Sequence, residues 1–271
     1  MLFRSRANRM KVNIEKTKYM IFHMKGRKLN LEGLKLLYND NEIDSNNPEL
    51  ISEIERVHSN HEIPELRYYK SLGIYLDENL TFNTHFSILH KKLSRSIFII
   101  NRVKHFLPAR ILRTLYFSIF HSHLMYCPTI LSCSSNSNIE KIFKLQKKVI
   151  RIITLSDYNA HTEPLFKSLK ILPYHKLIYQ ANLSLMHSIH FEYSPQALHN
   201  IFPRNSDRNV NYNLRNQDDY ATVRVRFNAL KKFPLYALPS IWNQADNNRY
   251  ISNPFSFKYA LREKQIGRAH V

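Results

Sequence analysis

Residues 138–154, NIEKIFKLQKKVIRIIT, predict the clearest helix of this chain. Its apolar side chains share one face, on which Gln146 is the polar exception: Ile139, Ile142, Phe143, Val149, Ile150 and Ile153. The opposite face, within about 120° of arc, carries Lys141, Lys144, Lys147, Lys148 and Arg151. One face therefore packs, and the other is a cationic stripe. Such a stripe can follow a phosphate backbone, but a solvated charged face has the same pattern, so both interpretations stay open for this helix alone.

Two further helices are predicted ahead of this one. Ser137 and Glu140 fit a capping box at the start of the basic helix, after the serine-rich linker SCSSNSN. A helix is predicted from Ala109 to about Tyr126, and another, with apolar residues at three- or four-residue spacing, over 84–107. Pro108 is expected to end that helix.

Short strands are predicted before residue 84 and more helix after residue 154. The strand candidates are VNIEKTKYMIF at 12–22, LKLLYN at 34–39 and YYKSLGIYL at 68–76, and a stretch rich in aspartate and glutamate separates the last two. Downstream, the pattern predicts a helix over 174–190, a loop over 203–220 and a compact piece over 233–242.

Composition favours a globular protein with a polyanionic partner. Of the 271 residues 44% are hydrophobic, which is enough for a buried core, and the formal net charge is +19. Only four glycines are present, which argues against glycine-rich phosphate loops and favours helices. Cys127 and Cys133 have no companion pair, so we expect free thiols in a reducing compartment.

The search for reactive groups finds few candidates. His121 and His123 are two apart on a predicted helix and point in different directions, so a structural role is favoured over a shared metal. Asp218 and Asp219 stand in a polar stretch and are predicted to lie on the surface. Lys16, at a turn before an apolar strand, suits a general acid or a phosphate contact, and a solvated lysine would look the same.

A series of short strings, in order along most of the chain, resembles the reverse transcriptases of non-LTR retrotransposons, especially jockey-like elements. Asn13-x-x-Lys16-Thr17-x-x-Met20-x-Phe22 is similar to the segment after their catalytic hairpin, and YKSLGIYLD at 69–77 to their "KYLGI.LD" strand. The remaining strings are LTF at 80–82 with His85, KKL at 91–93, LYFS at 115–118, LMY at 124–126, LQKKVIRII at 145–153, HTEPLF at 161–166 and SIWN at 240–243.

The resemblance implies an α+β, mostly helical fold, in which a remnant of polymerase palm strands precedes a helical thumb bundle and a C-terminal helical and loop region. The implied divisions are 1–25 for the end of the palm, 26–82 for connecting strands with an acidic loop and a primer-grip-like strand, 83–135 for the helical thumb and 136–265 for a basic helical region. Residues 266–271, IGRAHV, look like a translated sequencing-library adapter, and we base no structural prediction on them.

The resemblance also implies roles for individual residues. Lys16 corresponds to a palm lysine thought to assist pyrophosphate departure, and Leu72, Gly73 and Ile74 belong to the primer-grip-like strand. Residues implied to contact nucleic acid are Lys91, Lys92, Arg95, Lys141, Lys144, Lys147, Lys148 and Arg151. The family's metal-binding aspartates precede the position of Asn13, and residues 1–12 contain no aspartate. We therefore expect no metal or cofactor in this chain and no polymerase activity from it alone, whereas the intact polymerase uses Mg²⁺.

The function implied is that of a reverse transcriptase fragment that contributes template and primer binding. Its partners would be RNA and DNA, together with the upstream palm and fingers of the parent polymerase. No stretch reaches the roughly 18 consecutive apolar residues of a membrane helix, so we expect no membrane partner and an intracellular location, nuclear or cytoplasmic. Two alternatives remain: a domesticated noncatalytic nucleic-acid-binding or assembly module, and a translated pseudogene without function.

Overall fold

The computed structural model describes residues 18–23, 55–57, 67–207, 217–226, 228–245 and 247–267. Helices make up most of these residues and the strands are short, so the predicted α+β, mostly helical fold is confirmed at that level. The chain divides into two compact units, residues 1–85 and 86–271. The predicted strand at 34–39 and most of the acidic stretch lie outside the described residues.

The described residues of the first unit form two small sheets. β1 (Lys18–Tyr19) pairs in parallel with β2 (Glu55–Arg56), and β3 (Tyr69–Ser71) pairs antiparallel with β4 (Ile74–Leu76). The segment 68–76 was predicted as a single strand, and that prediction is wrong, because Leu72 and Gly73 turn the chain back on itself. Both residues have positive φ angles, of 47° and 85°, which close a two-residue hairpin.

Two carboxylates organise the loop after β4. Asp77 accepts hydrogen bonds from the backbone N–H groups of Thr81 at 3.0 Å and Phe82 at 2.8 Å. Glu78 is buried, and its Oε2 lies 3.4 Å from Nε2 of His23 and 3.6 Å from a guanidinium nitrogen of Arg56. The two side chains therefore fix this loop and tie it to the residues around β1 and β2.

Helix α1 (Asn83–Val103) begins close to the predicted position and ends four residues earlier than predicted. The N–H groups of Phe106 and Leu107 both bond to the carbonyl of Val103, which closes the last turn. Pro108 does not terminate α1. It precedes α2 (Ala109–Leu115) as the N-cap residue, in the extended conformation.

The helix predicted from Ala109 to Tyr126 is present, but its middle is not α-helical. α2 continues without a break into a π-helical segment, Tyr116–His121, and then into α3 (Ser122–Leu124). Tyr116, Phe120 and Leu124 are fully buried at four-residue spacing. Cys127, with a φ of 49°, leads into α4 (Pro128–Leu131), which starts on its proline.

Helix α5 (Asn136–Ile153) is the predicted basic helix, and it starts two residues earlier than predicted. Its N-cap is Ser135, whose hydroxyl oxygen accepts a hydrogen bond from the N–H of Asn138. The capping box predicted at Ser137 is therefore wrong, since Ser137 already lies within the first turn. Asn138 is itself buried, and its side-chain amide donates to the hydroxyl of Ser134 at 3.0 Å.

Gln146, the polar exception on the apolar face, is completely buried and fully hydrogen-bonded. Its Nε2 donates to the hydroxyl of Tyr116 and to the carbonyl of Leu172, each at 2.9 Å. Its Oε1 accepts from the backbone N–H of Tyr174 at 2.7 Å. Tyr174 is the first residue of α7 (Tyr174–His190), and the preceding Pro173 provides no side-chain cap, so Gln146 caps α7 from another helix.

Helix α7 matches the predicted range and is the centre of the C-terminal packing. It contacts α4, α5, α9 (Pro234–Asn243) and α10 (Pro254–Gly267). The core around it is built from Leu183, Met186, Ile189, Phe202, Tyr220, Leu238, Trp242, Phe257 and Leu261. Between these helices lie α6 (Thr162–Ser168), α8 (Gln196–His199) and short 3₁₀ turns at Asn205–Asp207, Asn228–Lys232 and Asn247–Tyr250.

Three helices end in a left-handed residue that is not glycine. After α5, α6 and α7 these residues are Leu155, Lys170 and Glu192, with φ angles of 51°, 51° and 60°. Each is followed by an N–H that bonds back over the last turn, as from Ser156 to the carbonyl of Arg151 at 3.0 Å. A chain with only four glycines therefore uses the Schellman ending with larger residues.

Candidate nucleic-acid interface

The cationic stripe of α5 lies on the outside of the second unit. Lys141, Lys144 and Lys148 are exposed, while Lys147 and Arg151 are half-buried at its edges. The opposite face packs as predicted, with Ile142, Val149, Ile150 and Ile153 buried. The helix therefore separates a packing face from a charged face.

Helices α1 and α5 share two clefts on this surface. The first, of 300 Å³, combines Phe86, His90 and Lys91 of α1 with the beginning of α5, including Lys141. The second, of 540 Å³, combines the C-terminal half of α1 with the end of α5 and the turn that follows it. Because the beginnings of the two helices share one cleft and their ends share the other, α1 and α5 run in the same direction.

The second cleft gathers positive charge and aromatic rings. Its basic residues are Lys104 and His105 from the turn after α1, and Lys148 and Arg151 from α5. Nε of Arg151 donates to the carbonyl of Ala160 at 3.0 Å, which holds the guanidinium in the wall of the cleft. Phe98, Leu155 and Tyr158 supply exposed apolar surface around these charges.

This surface has very few negative charges. No aspartate or glutamate occurs between Glu78 and Glu140, and none between Glu140 and Asp157. Within the part of the chain that the structure describes, the ion pairs lie elsewhere, at Glu78, Glu163 and Asp219, and none includes a lysine or arginine of the two clefts. Among the described residues these cations have no ion-pair partner, and a polyanion can neutralise them.

The structure brings together only some of the predicted binding residues. Lys91 joins Lys141 in the first cleft, and Lys148 joins Arg151 in the second. Lys144 lies between these pairs along α5, and Arg95 is exposed on α1 without lining either cleft.

Lys92 and Lys147 face other parts of the molecule. Lys92 is close enough to His123 that its charge, after burial, helps to lower the pKa of that imidazole. The ammonium of Lys147 lies 4.3 Å from the centroid of the Phe143 ring, beside a separate cleft of 320 Å³ that Glu163 and His175 also line. Neither lysine belongs to the surface shared by α1 and α5.

The binding residues predicted from the sequence do not include four residues of the second cleft: Lys104, His105, Phe98 and Tyr158. Phe98 falls outside the apolar face of α1, and its ring has the guanidinium carbon of Arg102 at 5.1 Å from the centroid. An aromatic residue off the packing face, four positions before an arginine, was the available signal. Tyr158 carried no such signal, because it lies in a turn without periodicity.

The predicted primer-grip-like residues belong to the first unit, at the hairpin of β3 and β4. Leu72 stands at the tip and is 89% exposed, whereas Ile74 is buried. A leucine with positive φ is strained and would be costly without a constraint such as the adjoining Gly73 turn. The three residues therefore do not share one environment, as a regular strand would give them.

Lys16, the possible general acid, lies outside the described residues. Nowhere in the described ranges do three histidine, cysteine or acidic side chains come together to hold a metal ion. Asp219, predicted to be a surface residue, is half-buried and forms an ion pair with Arg249 at 3.1 Å, whereas Asp218 is exposed as predicted.

His121, one of the two histidines on the predicted helix, is packed among other side chains. Burial, followed by the charge of Arg262, lowers the pKa of His121 to about 4, so this imidazole is neutral at pH 7. Its ring packs edge-on against Phe117, with centroids 5.0 Å apart. A packing role for His121 agrees with the structural interpretation that its spacing favoured.

Two further observations bear on the kind of protein this is. No helix in the described ranges combines the length and the apolar content needed to cross a bilayer. Comparison with protein-family models, curated proteins and solved structures found no match for this chain.

Proposed function

We propose that this chain is a nucleic-acid-binding part of a reverse transcriptase of the non-LTR retrotransposon type, and that the surface shared by α1 and α5 contacts the template and primer duplex. The observation that supports it most is the pair of clefts whose cations form no ion pair with a carboxylate of the described residues. Lysine and arginine in such positions gain free energy by releasing the counterions that surround phosphates.

The spacing of the lysines along α5 suits a phosphate backbone. From Lys141 through Lys144 to Lys148 the helix rises by about 10 Å, at roughly 1.5 Å per residue. One strand of a duplex presents a phosphate about every 3.4 Å along its axis, so the three ammonium groups span about three phosphates. Contacts of this kind position a duplex without reading its sequence, as a polymerase that copies any template requires.

The test is fluorescence anisotropy with a labelled RNA–DNA hybrid duplex at several salt concentrations. We expect binding that weakens steeply with salt. The variant Lys91→Gln, Lys141→Gln, Lys148→Gln should bind more weakly and show a slope of log K against log[salt] that is smaller by about 3 × 0.9.

A matched variant removes the same charge elsewhere. Lys170, Lys231 and Lys258 are exposed and line neither cleft, so Lys170→Gln, Lys231→Gln, Lys258→Gln should leave most of the affinity and slope intact. If the two triple variants lost affinity for the hybrid equally, the chain would attract nucleic acid through its net charge alone. Binding that does not respond to salt would contradict the proposal.

A further inference from the structure

The second cleft differs from the first in what surrounds its charges. The first cleft contains one aromatic carbocycle, that of Phe86, and this ring is buried. In the second, Phe98 is 59% exposed and Tyr158 is 83% exposed, on the α1 side and on the turn after α5. Large exposed rings facing a cleft are binding surface that packing of the protein itself does not use.

The ring of Phe98 has a cation over one face. The guanidinium carbon of Arg102 lies 5.1 Å from the ring centroid, within the distance of a cation–π interaction. This contact adds a positive charge at the rim of the cleft. Phe98 thereby combines a stacking surface with a cation, the two groups that proteins use together on single-stranded nucleic acid.

Polar groups in the same cleft can bind the phosphate, the sugar and the base edge of a nucleotide. Lys104, Lys148 and Arg151 can contact its phosphate, and the side chains of Ser94, Asn101 and Ser156 offer hydrogen bonds to a sugar or a base edge. The volume of 540 Å³ falls within the roughly 300–1,000 Å³ of typical ligand sites. A paired base keeps its faces stacked within the duplex, so only an unpaired base can use these rings.

We propose that the cleft lined by Phe98, Lys148, Arg151 and Tyr158 binds an unpaired nucleotide of a single-stranded segment that adjoins the duplex. This inference rests on the proposed function, because the duplex must bind to α1 and α5 for its single-stranded segment to reach the cleft. The phosphate meets the cations, and the base stacks on the aromatic rings.

The experiment compares two RNA–DNA hybrids by anisotropy, one blunt and one with a short single-stranded overhang that contains 2-aminopurine. With the unaltered chain we expect the overhang to raise the affinity about tenfold and to quench the 2-aminopurine fluorescence by stacking. In Phe98→Ala, Tyr158→Ala the difference in affinity between the two hybrids and the quenching of 2-aminopurine should both disappear.

The matched variant is Phe255→Ala, Tyr259→Ala, which removes two rings of α10 that are 84% and 68% exposed. It should retain the preference for the overhang. Equal affinity of the unaltered chain for both hybrids, or a preference that survives in Phe98→Ala, Tyr158→Ala, would overturn the inference while leaving the proposed function standing. Absence of binding to either hybrid would overturn both. Tyr158→Ala alone, in an exposed turn, repeats the test with the least effect on folding.

Discussion

Helices α5 and α7 are similar in length, yet they use polar side chains in opposite ways. α5 turns its lysines outward and keeps Gln146 in the core, where all three of its hydrogen bonds reach other elements. α7 packs against α4, α5, α8, α9 and α10, and it buries Asn182 and His187 together with its apolar residues. The first helix is amphipathic, and the second is a central core helix.

The two helices also begin differently. α5 has a cap of its own in Ser135, whereas α7 follows Pro173 and receives its acceptor from Gln146. The start of α5 is therefore specified by neighbouring residues in the chain, and the start of α7 depends on tertiary structure. We therefore expect α7 to be stable only when α5 is docked against it.

Replacing Gln146 should have the largest effect of the changes considered. Gln146→Leu keeps the approximate volume but leaves the N–H of Tyr174, the carbonyl of Leu172 and the hydroxyl of Tyr116 without their partner. Buried groups left in this way cost about 1–3 kcal/mol each, and partial relaxation makes a total loss of about 2–4 kcal/mol the expected result. Urea denaturation at pH 7 measures it.

The control is Gln244→Leu, because Gln244 is exposed at the end of α9. The free energy of unfolding of this variant should differ from that of the unaltered chain by less than about 0.5 kcal/mol. If the two variants lost equal stability, the cap supplied by Gln146 would not matter to α7.

The second-largest effect that we expect is a loss of stability at acid pH, caused by His190 of α7. Burial, followed by the charge of Arg204, lowers the pKa of His190 from 6.5 to about 4. Between pH 6.5 and 4 the unfolded chain therefore binds the proton that the folded chain does not, so stability is full above pH 6.5 and is lost as pH falls towards 4. Because His190 is only half-buried, we expect a loss of about 1 kcal/mol.

Urea denaturation at pH 7 and at pH 4.5 tests this for the unaltered chain and for His190→Gln. The variant cannot take up the proton at this position, so its stability should fall less between the two pH values. The stability of Gln244→Leu, which changes no titratable group, should fall as much as that of the unaltered chain. An equal fall in His190→Gln and the unaltered chain would contradict the assignment.

The contrast between the helices explains what sequence reasoning could predict. The two faces of α5 follow from periodicity, because one side of an amphipathic helix must be buried and the other solvated. The range of α7 was also predicted correctly from its apolar pattern. The hydrogen bonds of Gln146 were not predictable, since their partners lie far away in the sequence, and only the exception it makes on an apolar face marked it.

The wrong predictions arose where neighbouring residues allow two local structures. Ser135 and Ser137 are both good cap residues, and the glutamate that follows favoured the wrong one. Leucine is a poor residue for a left-handed turn, so the hairpin at Leu72 and Gly73 was interpreted as a strand. The second cleft could not be foreseen, because Phe98 and Tyr158 meet only through the parallel arrangement of α1 and α5.

Replacing the serines at the start of α5 should have a smaller effect on stability. Ser135→Ala removes the acceptor for the N–H of Asn138 and should cost about 1 kcal/mol of unfolding free energy. Ser137→Ala should change it by less than about 0.5 kcal/mol, because that residue is an exposed member of the first turn. Thermal denaturation followed by circular dichroism separates them. A larger loss in Ser137→Ala would restore the capping box that the sequence predicts.

The smallest expected effect compares two adjacent lysines of α5 and sharpens the distinction between its outer surface and its edges. The ammonium of Lys147 is engaged over the Phe143 ring at 4.3 Å, whereas Lys148 lies in the second cleft with no carboxylate partner among the described residues. If the cleft contacts phosphates, Lys148→Gln should weaken binding to an RNA–DNA hybrid about threefold and reduce the salt slope by about 1. Lys147→Gln carries the same charge change and should alter affinity by less than about twofold, since its ammonium faces away from the shared surface. Anisotropy titrations at three salt concentrations distinguish these outcomes, and equal slopes for the two variants would mean that α5 attracts nucleic acid through its total charge and not through the cleft.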